Sequence, residues 1–166
     1  LTQYESVVLN NYIGNGSKWG FDGVNSICVP LAPRQTEEGA NWYKGTADAI
    51  YQNLDFLDDQ SPDYVLILSG DHIYKTTFDD MLDVHIKNKA ACTISVLEVD
   101  IKEASRFGIL EVDEKDRIQK FVEKPKEPKS NLASMGVYIF SYKVLREQLI
   151  KDHKNPATNF DFGKNI

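Results

Sequence analysis

Apolar residues follow two patterns along the chain. Tyr64–Leu68 is an unbroken apolar run, which predicts a strand buried on both faces, as in a parallel sheet. Apolar positions at helical spacing predict amphipathic helices at 1–13, 46–58, 77–88 and 142–151, and a short helical piece at 102–106. Short apolar stretches bounded by turn residues predict further strands at 24–29, 92–99, 108–112, 118–122 and 133–140.

The order of these elements predicts the fold class. Strands alternate with helices over the first hundred residues, which indicates an α/β fold with a mostly parallel sheet and crossover helices. The later strands have little helix between them, so they predict an antiparallel or mixed addition to that sheet.

Composition narrows the classes of function. The 166 residues fit one domain, and apolar residues at 42% with charged residues at 27% are typical of a globular chain. A net charge of −6 argues against a nucleic-acid binder but not against a small ligand that bears phosphate. No apolar run approaches the length of a membrane span. Cys28 and Cys92 lie in apolar stretches, which predicts buried free thiols in a reducing cytoplasm.

Asp71 directly follows the most hydrophobic strand, in the segment Gly70-Asp71-His72. Ligands of open α/β sheets bind beyond the carboxyl ends of strands, so a carboxylate here is well placed to hold a divalent cation. Mg²⁺ binds few protein carboxylates and fills its other positions with water and phosphate oxygens. The alternative is that Asp71 caps the following helix.

A loop leads into a helix N-terminus at Trp42–Ala49. Free backbone N–H groups and the helix dipole at such an end favour an anionic or polar ligand, and Gly45 would let a flat group approach. The alternative is an ordinary helix whose N-cap is Thr46.

Glu123 and Lys124 end a strand and are followed by Pro125. Lys124 can neutralise a phosphate, and Glu123 can accept hydrogen bonds from sugar hydroxyls. Pro125 favours an extended backbone at Lys124. The alternative is a solvated surface pair of little energetic value.

Six segments together resemble the sugar-nucleotide pyrophosphorylases, and among them the bacterial branch that makes ADP-glucose. They stand in the order of that family and cover nearly the whole chain: Trp42–Ala49, Gly70–Tyr74, Phe107–Ile109, Phe121–Pro125, Ser134–Tyr138 and Asp161–Gly163. The resemblance implies a Rossmann-like α/β catalytic domain of the nucleotide-diphospho-sugar transferase type.

The resemblance also implies an activity: ATP and glucose 1-phosphate would give ADP-glucose for glycogen synthesis, and pyrophosphate, with Mg²⁺ as cofactor. Asp71 would be the catalytic carboxylate that binds the metal, and Lys124 the phosphate anchor. The remaining residues implied are Gln35, Tyr43, Gly45 and Thr46 on the nucleotide side, and Gly108, Glu123 and Ser134, with Lys124, around the glucose 1-phosphate.

The resemblance is incomplete. The family's basic glycine-rich loop, its second metal-binding aspartate and its C-terminal β-helix domain have no counterpart in 1–166. We therefore expect the chain to be the central part of one catalytic domain, inactive by itself, from a cytoplasmic, allosteric homotetramer. Two alternatives stay open: an enzyme that uses UTP or dTTP, and a non-catalytic regulatory subunit of the same enzyme.

Overall fold

The computed structural model describes residues 1–4, 6–33 and 42–166. Between the last two ranges it also describes the backbone of β1 (Gln35–Thr36) and β2 (Gly39–Ala40), which pair in antiparallel fashion. The other strands are β3 (Tyr64–Ile67), β4 (Cys92–Glu98), β5 (Gly108–Val112), β6 (Ile118–Glu123) and β7 (Leu132–Ser141). The helices are α1 (Ser6–Ile13), α2 (Thr46–Tyr51), α3 (Leu54–Gln60), α4 (Asp79–Lys87), α5 (Tyr142–His153) and α6 (Phe162–Asn165).

Most predicted elements are present, with three differences. The stretch 24–29 is not a strand, and the first helix begins at Ser6. The predicted helix 46–58 is divided into α2 and α3 at Asn53, whose side chain donates a hydrogen bond of 2.8 Å to the carbonyl of Ala49.

The prediction of a mostly parallel sheet is wrong for the described strands. The five-stranded sheet is built around β7, and every pairing within it is antiparallel. One edge of β7 pairs with β4. Its other edge pairs with β3 at Tyr138–Ser141 and with β5 at Leu132–Ala133, and β6 follows β5.

The strand directions explain why the sequence suggested a parallel sheet. Because β3 and β4 are both antiparallel to β7, they run in the same direction, as a crossover through α4 requires. They are not neighbours, however, since β7 lies between them. Helix–strand alternation therefore predicted the directions of β3 and β4 correctly but not their pairing.

The main core lies between this sheet and the helices α2 and α5. On α5, Tyr142, Leu145 and Leu149 share one face and are buried against α2 and β7. The expectation that β3 is buried on both faces is wrong, because Tyr64 and Leu66 are exposed and only the alternate residues are half-buried. Among the described residues, the helices are all too short or too polar to cross a membrane.

His85 on α4 is buried and connects that helix to the sheet. Its Nε2 lies 3.1 Å from Oγ of Ser141, and its Nδ1 lies 2.8 Å from Oγ1 of Thr93. The Ser141 hydroxyl donates its proton to the carbonyl of Ala90, so it accepts from Nε2–H, and Nδ1 accepts from Thr93. Both bonds thus use the neutral imidazole, and burial lowers the pKa of His85.

We predict that the stability of the fold falls as the pH drops below about 6.5, the pKa of histidine in an unfolded chain. Below that value the unfolded state binds a proton that the native state excludes, so unfolding becomes easier until the pH reaches the lowered native pKa. The slope approaches about 1.4 kcal/mol per pH unit. Urea unfolding between about pH 7.5 and 5.5 measures it.

His85→Gln is the control for this slope, because glutamine keeps both hydrogen-bonding functions and does not titrate. The carboxylates with lowered pKa values, Asp58, Asp71 and Asp113, titrate below this range. All other titratable groups are common to both proteins, so the difference between their slopes reports His85. Equal slopes in wild type and His85→Gln would contradict the prediction.

Candidate active site

A cavity of about 670 Å³ opens beside β7, where β3 ends and β5 begins. On the edge of β7 that β3 and β5 share, the pairing with β3 ends at Tyr138 and the pairing with β5 begins at Ala133. The residues of β7 between these two positions pair with neither strand. On the opposite edge of β7, Ile94 of β4 pairs with Tyr138, but Val96 pairs with Ser134. More residues of β7 than of β4 therefore lie between these two pairs. This is a bulge, and Gly136 within it has a φ of 67°, which favours glycine.

Asp71 is exposed and lines the cavity beyond the carboxyl end of β3. The Ser69 hydroxyl donates a hydrogen bond to Oδ1 of Asp71. This bond is the main reason why the pKa of Asp71 lies below its usual range. A fixed, ionised carboxylate therefore stands on this side of the cavity.

Glu123 and Lys124 lie on the opposite side, at the end of β6. Glu123 pairs with Gly108 at the start of β5, and the amide of Lys124 donates to the carbonyl of Phe107 at 2.9 Å. The Nζ of Lys124 is 3.7 Å from Oε1 of Glu123. The extended backbone expected before Pro125 is not found, because Lys124 has a φ of 48°, in the left-handed region.

Gly108 lets Glu123 and Phe121 approach β5 closely. A Cβ built on Gly108 would lie 2.5 Å from Cζ of Phe121 and 2.8 Å from Oε2 of Glu123. From the other side, a Cβ on Gly163 of α6 would lie 3.4 Å from the same carboxylate oxygen. The carboxylate of Glu123 thus packs close to two glycines.

Ser134 completes the group of predicted residues that meet here. It lies on β7 at the start of the bulge, and its Oγ accepts a hydrogen bond of 3.2 Å from the amide of Gly136. The structure therefore brings these five predicted residues to one cavity: Asp71, Gly108, Glu123, Lys124 and Ser134.

Of the residues predicted for the nucleotide side, the three whose side chains or Cα positions the structure describes in full, Tyr43, Gly45 and Thr46, do not line this cavity. A Cβ on Gly45 would lie 2.3 Å from the carbonyl oxygen of Phe160. The absence of a side chain at Gly45 therefore makes room for the backbone at Phe160, not for a ligand. The same carbonyl accepts a hydrogen bond of 2.9 Å from the amide of Ala47. One of the free N–H groups at the N-terminus of α2 is therefore already bonded within the protein. The N-cap is Gly45, not Thr46, whose Oγ1 instead accepts the amide of Phe162 at 3.2 Å.

Tyr43 packs beside α2 as well. Its hydroxyl donates to the carbonyl of Leu31 at 3.4 Å and accepts from Asn53 at 3.0 Å. The side chain of Gln35 lies outside the described residues, although its backbone is part of β1.

Several lining residues were not predicted as site residues. Gly136 had a signal, because a glycine inside a strand pattern often marks a bulge. Arg106 and Ser69 had no signal, since a single arginine or serine next to a motif has no distinctive spacing. The other unpredicted lining residues are His72, Leu97, Val99, Phe107, Phe121, Ala133, Met135 and Tyr138.

The charges of the lining residues are balanced. The carboxylates of Asp71 and Glu123 face the cations of Arg106 and Lys124. Among the described residues, no group of three His, Cys, Asp or Glu side chains could hold a metal ion by itself. A single ionised carboxylate such as that of Asp71 has the chemistry to fit a Mg²⁺ ion that takes its other ligands from phosphate and water.

One comparison with known proteins bears on this site. The family model described as nucleotidyl transferase matches residues 1–166. The match therefore covers every strand that lines the cavity.

We predict that Gly108→Ala lowers the free energy of unfolding by about 1–3 kcal/mol, because the ring of Phe121 and the carboxylate of Glu123 must both move away from the new methyl group. Urea unfolding measures the change. Gly70→Ala is the matched control, since a Cβ there meets nothing within 4 Å. It should leave stability unchanged or raise it by less than about 1 kcal/mol. Equal effects of the two changes would contradict this account of Gly108.

Proposed function

The chain belongs to the nucleotidyl transferase family, and on that premise we propose that, as part of the full-length protein, it transfers the adenylyl group of ATP to glucose 1-phosphate. The products are ADP-glucose and pyrophosphate. Membership of the family indicates a transferase whose substrates are a nucleoside triphosphate and a sugar phosphate. The choice of ATP and of glucose 1-phosphate is the part that we propose.

One observation supports the proposal most strongly: residues from four separate strands or strand ends line a single cavity. Asp71 follows β3, Gly108 begins β5, Glu123 ends β6, and Ser134 lies in β7. Residues so far apart in sequence share a cavity only through the fold. Four of the six motifs that resemble the ADP-glucose enzymes are therefore also neighbours in space.

The cavity suggests a division of roles. Lys124 binds the phosphate of the sugar phosphate, and Glu123 accepts hydrogen bonds from its hydroxyls. Asp71, across the cavity, would hold Mg²⁺, which neutralises the charge on the triphosphate when it is bound. The phosphate oxygen of the sugar phosphate attacks the α-phosphorus of ATP in line, and pyrophosphate leaves. Positioning and charge neutralisation provide most of the rate, since no covalent intermediate with the protein is needed.

The preference for adenine is proposed from the segment Trp42–Ala49. We assign Gln35, Tyr43, Gly45 and Thr46 to the nucleotide side on this resemblance. Gly45 and Thr46 contact the segment that contains Phe160. Their proposed role is therefore to fix the position of the N-terminus of α2. The cytoplasmic homotetramer and its allosteric control belong to the same proposal.

An assay of the full-length protein tests the proposal. Pyrophosphate release from ATP, UTP and dTTP is measured with glucose 1-phosphate and Mg²⁺. We expect kcat/KM for ATP to exceed the others by at least about tenfold, or about 1.4 kcal/mol of transition-state binding. Asp71→Asn should lower kcat by on the order of 100-fold or more with an unchanged circular dichroism spectrum.

Asp59→Asn, on the exposed face of α3, is the matched control and should keep wild-type turnover. A preference for UTP or dTTP would contradict the proposal and would instead support a sugar-phosphate nucleotidyltransferase that uses that nucleotide. No turnover with any nucleotide would favour a regulatory subunit. Near-normal turnover of Asp71→Asn would remove Asp71 from the metal role.

We predict that Lys124→Ala raises KM for glucose 1-phosphate by at least about tenfold and changes KM for ATP by less than about twofold, because only the sugar phosphate loses a charged partner. Steady-state kinetics with each substrate varied in turn separates the two constants. Lys126→Ala, an exposed lysine just beyond Pro125, is the control for a general loss of positive charge. A similar rise in both constants would assign Lys124 to the triphosphate instead.

A further inference from the structure

We propose that Ser69 and Tyr74 are positioning residues that fix the carboxylate of Asp71 at the cavity. The inference rests on the proposed function for the role of Asp71, but it concerns two residues to which the sequence analysis assigned no role. It is carried by the hydrogen bonds and ring contacts of the segment 68–78, which connects β3 to α4.

This segment needs an internal support. The structure describes all of 68–78, and it contains neither helix nor strand. Asp71 itself is exposed, so packing does not restrict its side chain. A carboxylate in such a place samples several rotamers unless another group holds it.

Ser69 provides the contact with the carboxylate. Its hydroxyl donates to Oδ1 of Asp71, two residues further along the chain. A carboxylate has about four acceptor sites, so this bond leaves Asp71 able to accept further partners from the cavity. Ser69 thereby sets the direction in which Asp71 presents its charge.

Tyr74 fixes Ser69 in turn. The Tyr74 hydroxyl lies 3.0 Å from the amide nitrogen of Ser69, from which it accepts, and 3.3 Å from the carbonyl oxygen of Ser69, to which it donates. One phenol thus binds both backbone groups of a single residue. It closes the loop that contains Asp71.

The ring of Tyr74 is anchored at its other side. It packs edge-on against Phe78 with ring centroids 5.8 Å apart, and it contacts His72 with centroids 4.5 Å apart. Phe78 is the N-cap residue of α4, and it is half-buried. The contacts therefore run from the first turn of α4 through Tyr74 and Ser69 to Asp71.

Groups that orient a metal ligand affect metal binding strongly, and their loss typically weakens it by about 10–100-fold. Ser69→Ala removes the bond to Asp71 and leaves the loop closed. Tyr74→Phe removes the loop closure and keeps the ring contacts. Ser69→Thr retains the hydroxyl and should restore what Ser69→Ala loses.

The test measures Mn²⁺ binding to the full-length protein by electron paramagnetic resonance, with ATP present, alongside steady-state kinetics. We expect Ser69→Ala and Tyr74→Phe to weaken Mn²⁺ binding by about tenfold or more. Both should lower kcat and leave KM for glucose 1-phosphate unchanged. Ser17→Ala and Tyr12→Phe, exposed and remote from the cavity, are the matched controls.

Wild-type Mn²⁺ binding in Ser69→Ala would overturn the inference. So would equal losses in Ser69→Ala and Ser69→Thr with a lowered unfolding temperature, which indicate a purely structural role. A wild type that makes no ADP-glucose, together with weakened Mn²⁺ binding in Ser69→Ala, would refute the proposed function and keep the inference. A wild type that binds no Mn²⁺ in the presence of ATP would refute both.

Discussion

The hydrogen bonding of β7 is the constraint on which the rest of the structure depends. A strand has two edges, and β4 occupies one of them along most of the length of β7. The other edge is shared by β3 and β5, which approach from opposite ends and do not meet. The bulge at Gly136 lies opposite this interval. The cavity is therefore a gap in the sheet itself, and backbone hydrogen bonds between the strands hold its walls in place.

A second constraint acts from the carboxyl-terminal segment, which contacts both the helical layer and the site. The carbonyl of Phe160 accepts from α2, and the ring of Phe162 stacks on Tyr138 with centroids 5.8 Å apart. Gly163 then packs against Phe121 and Glu123. Two glycines, Gly45 and Gly163, allow these close approaches. A small segment thus connects the start of α2 to the carboxylate of Glu123.

The sequence predicted local features better than pairing. The bounds of β5 agree with the prediction, because its apolar stretch and the turn residues that flank it are both local signals. The partners of β7 could not be predicted, since periodicity reports which face is buried and not which strand lies beside it. Likewise, the apolar run at β3 indicated burial, but β7 pairs with only one of its edges and Leu66 stays exposed. The motifs predicted five lining residues, whereas Ser69 and Arg106 became visible only through the fold.

The two cations at the cavity are both largely exposed, but they differ in the distance to their carboxylate partners. Arg106 lies 2.7 Å from Glu103 in the preceding turn, which is the distance of a direct hydrogen-bonded ion pair. Lys124 lies 3.7 Å from Glu123, and 67% of its side chain is exposed. An exposed pair at that distance contributes little, so Lys124 can exchange Glu123 for a phosphate at small cost. Glu123 is less exposed, with 28% of its side chain accessible, and its carboxylate packs beside Gly108 and Gly163. The cavity thus combines a half-buried acceptor for hydroxyl groups with an exposed cation for an anion, which suits the sugar phosphate that we propose as substrate.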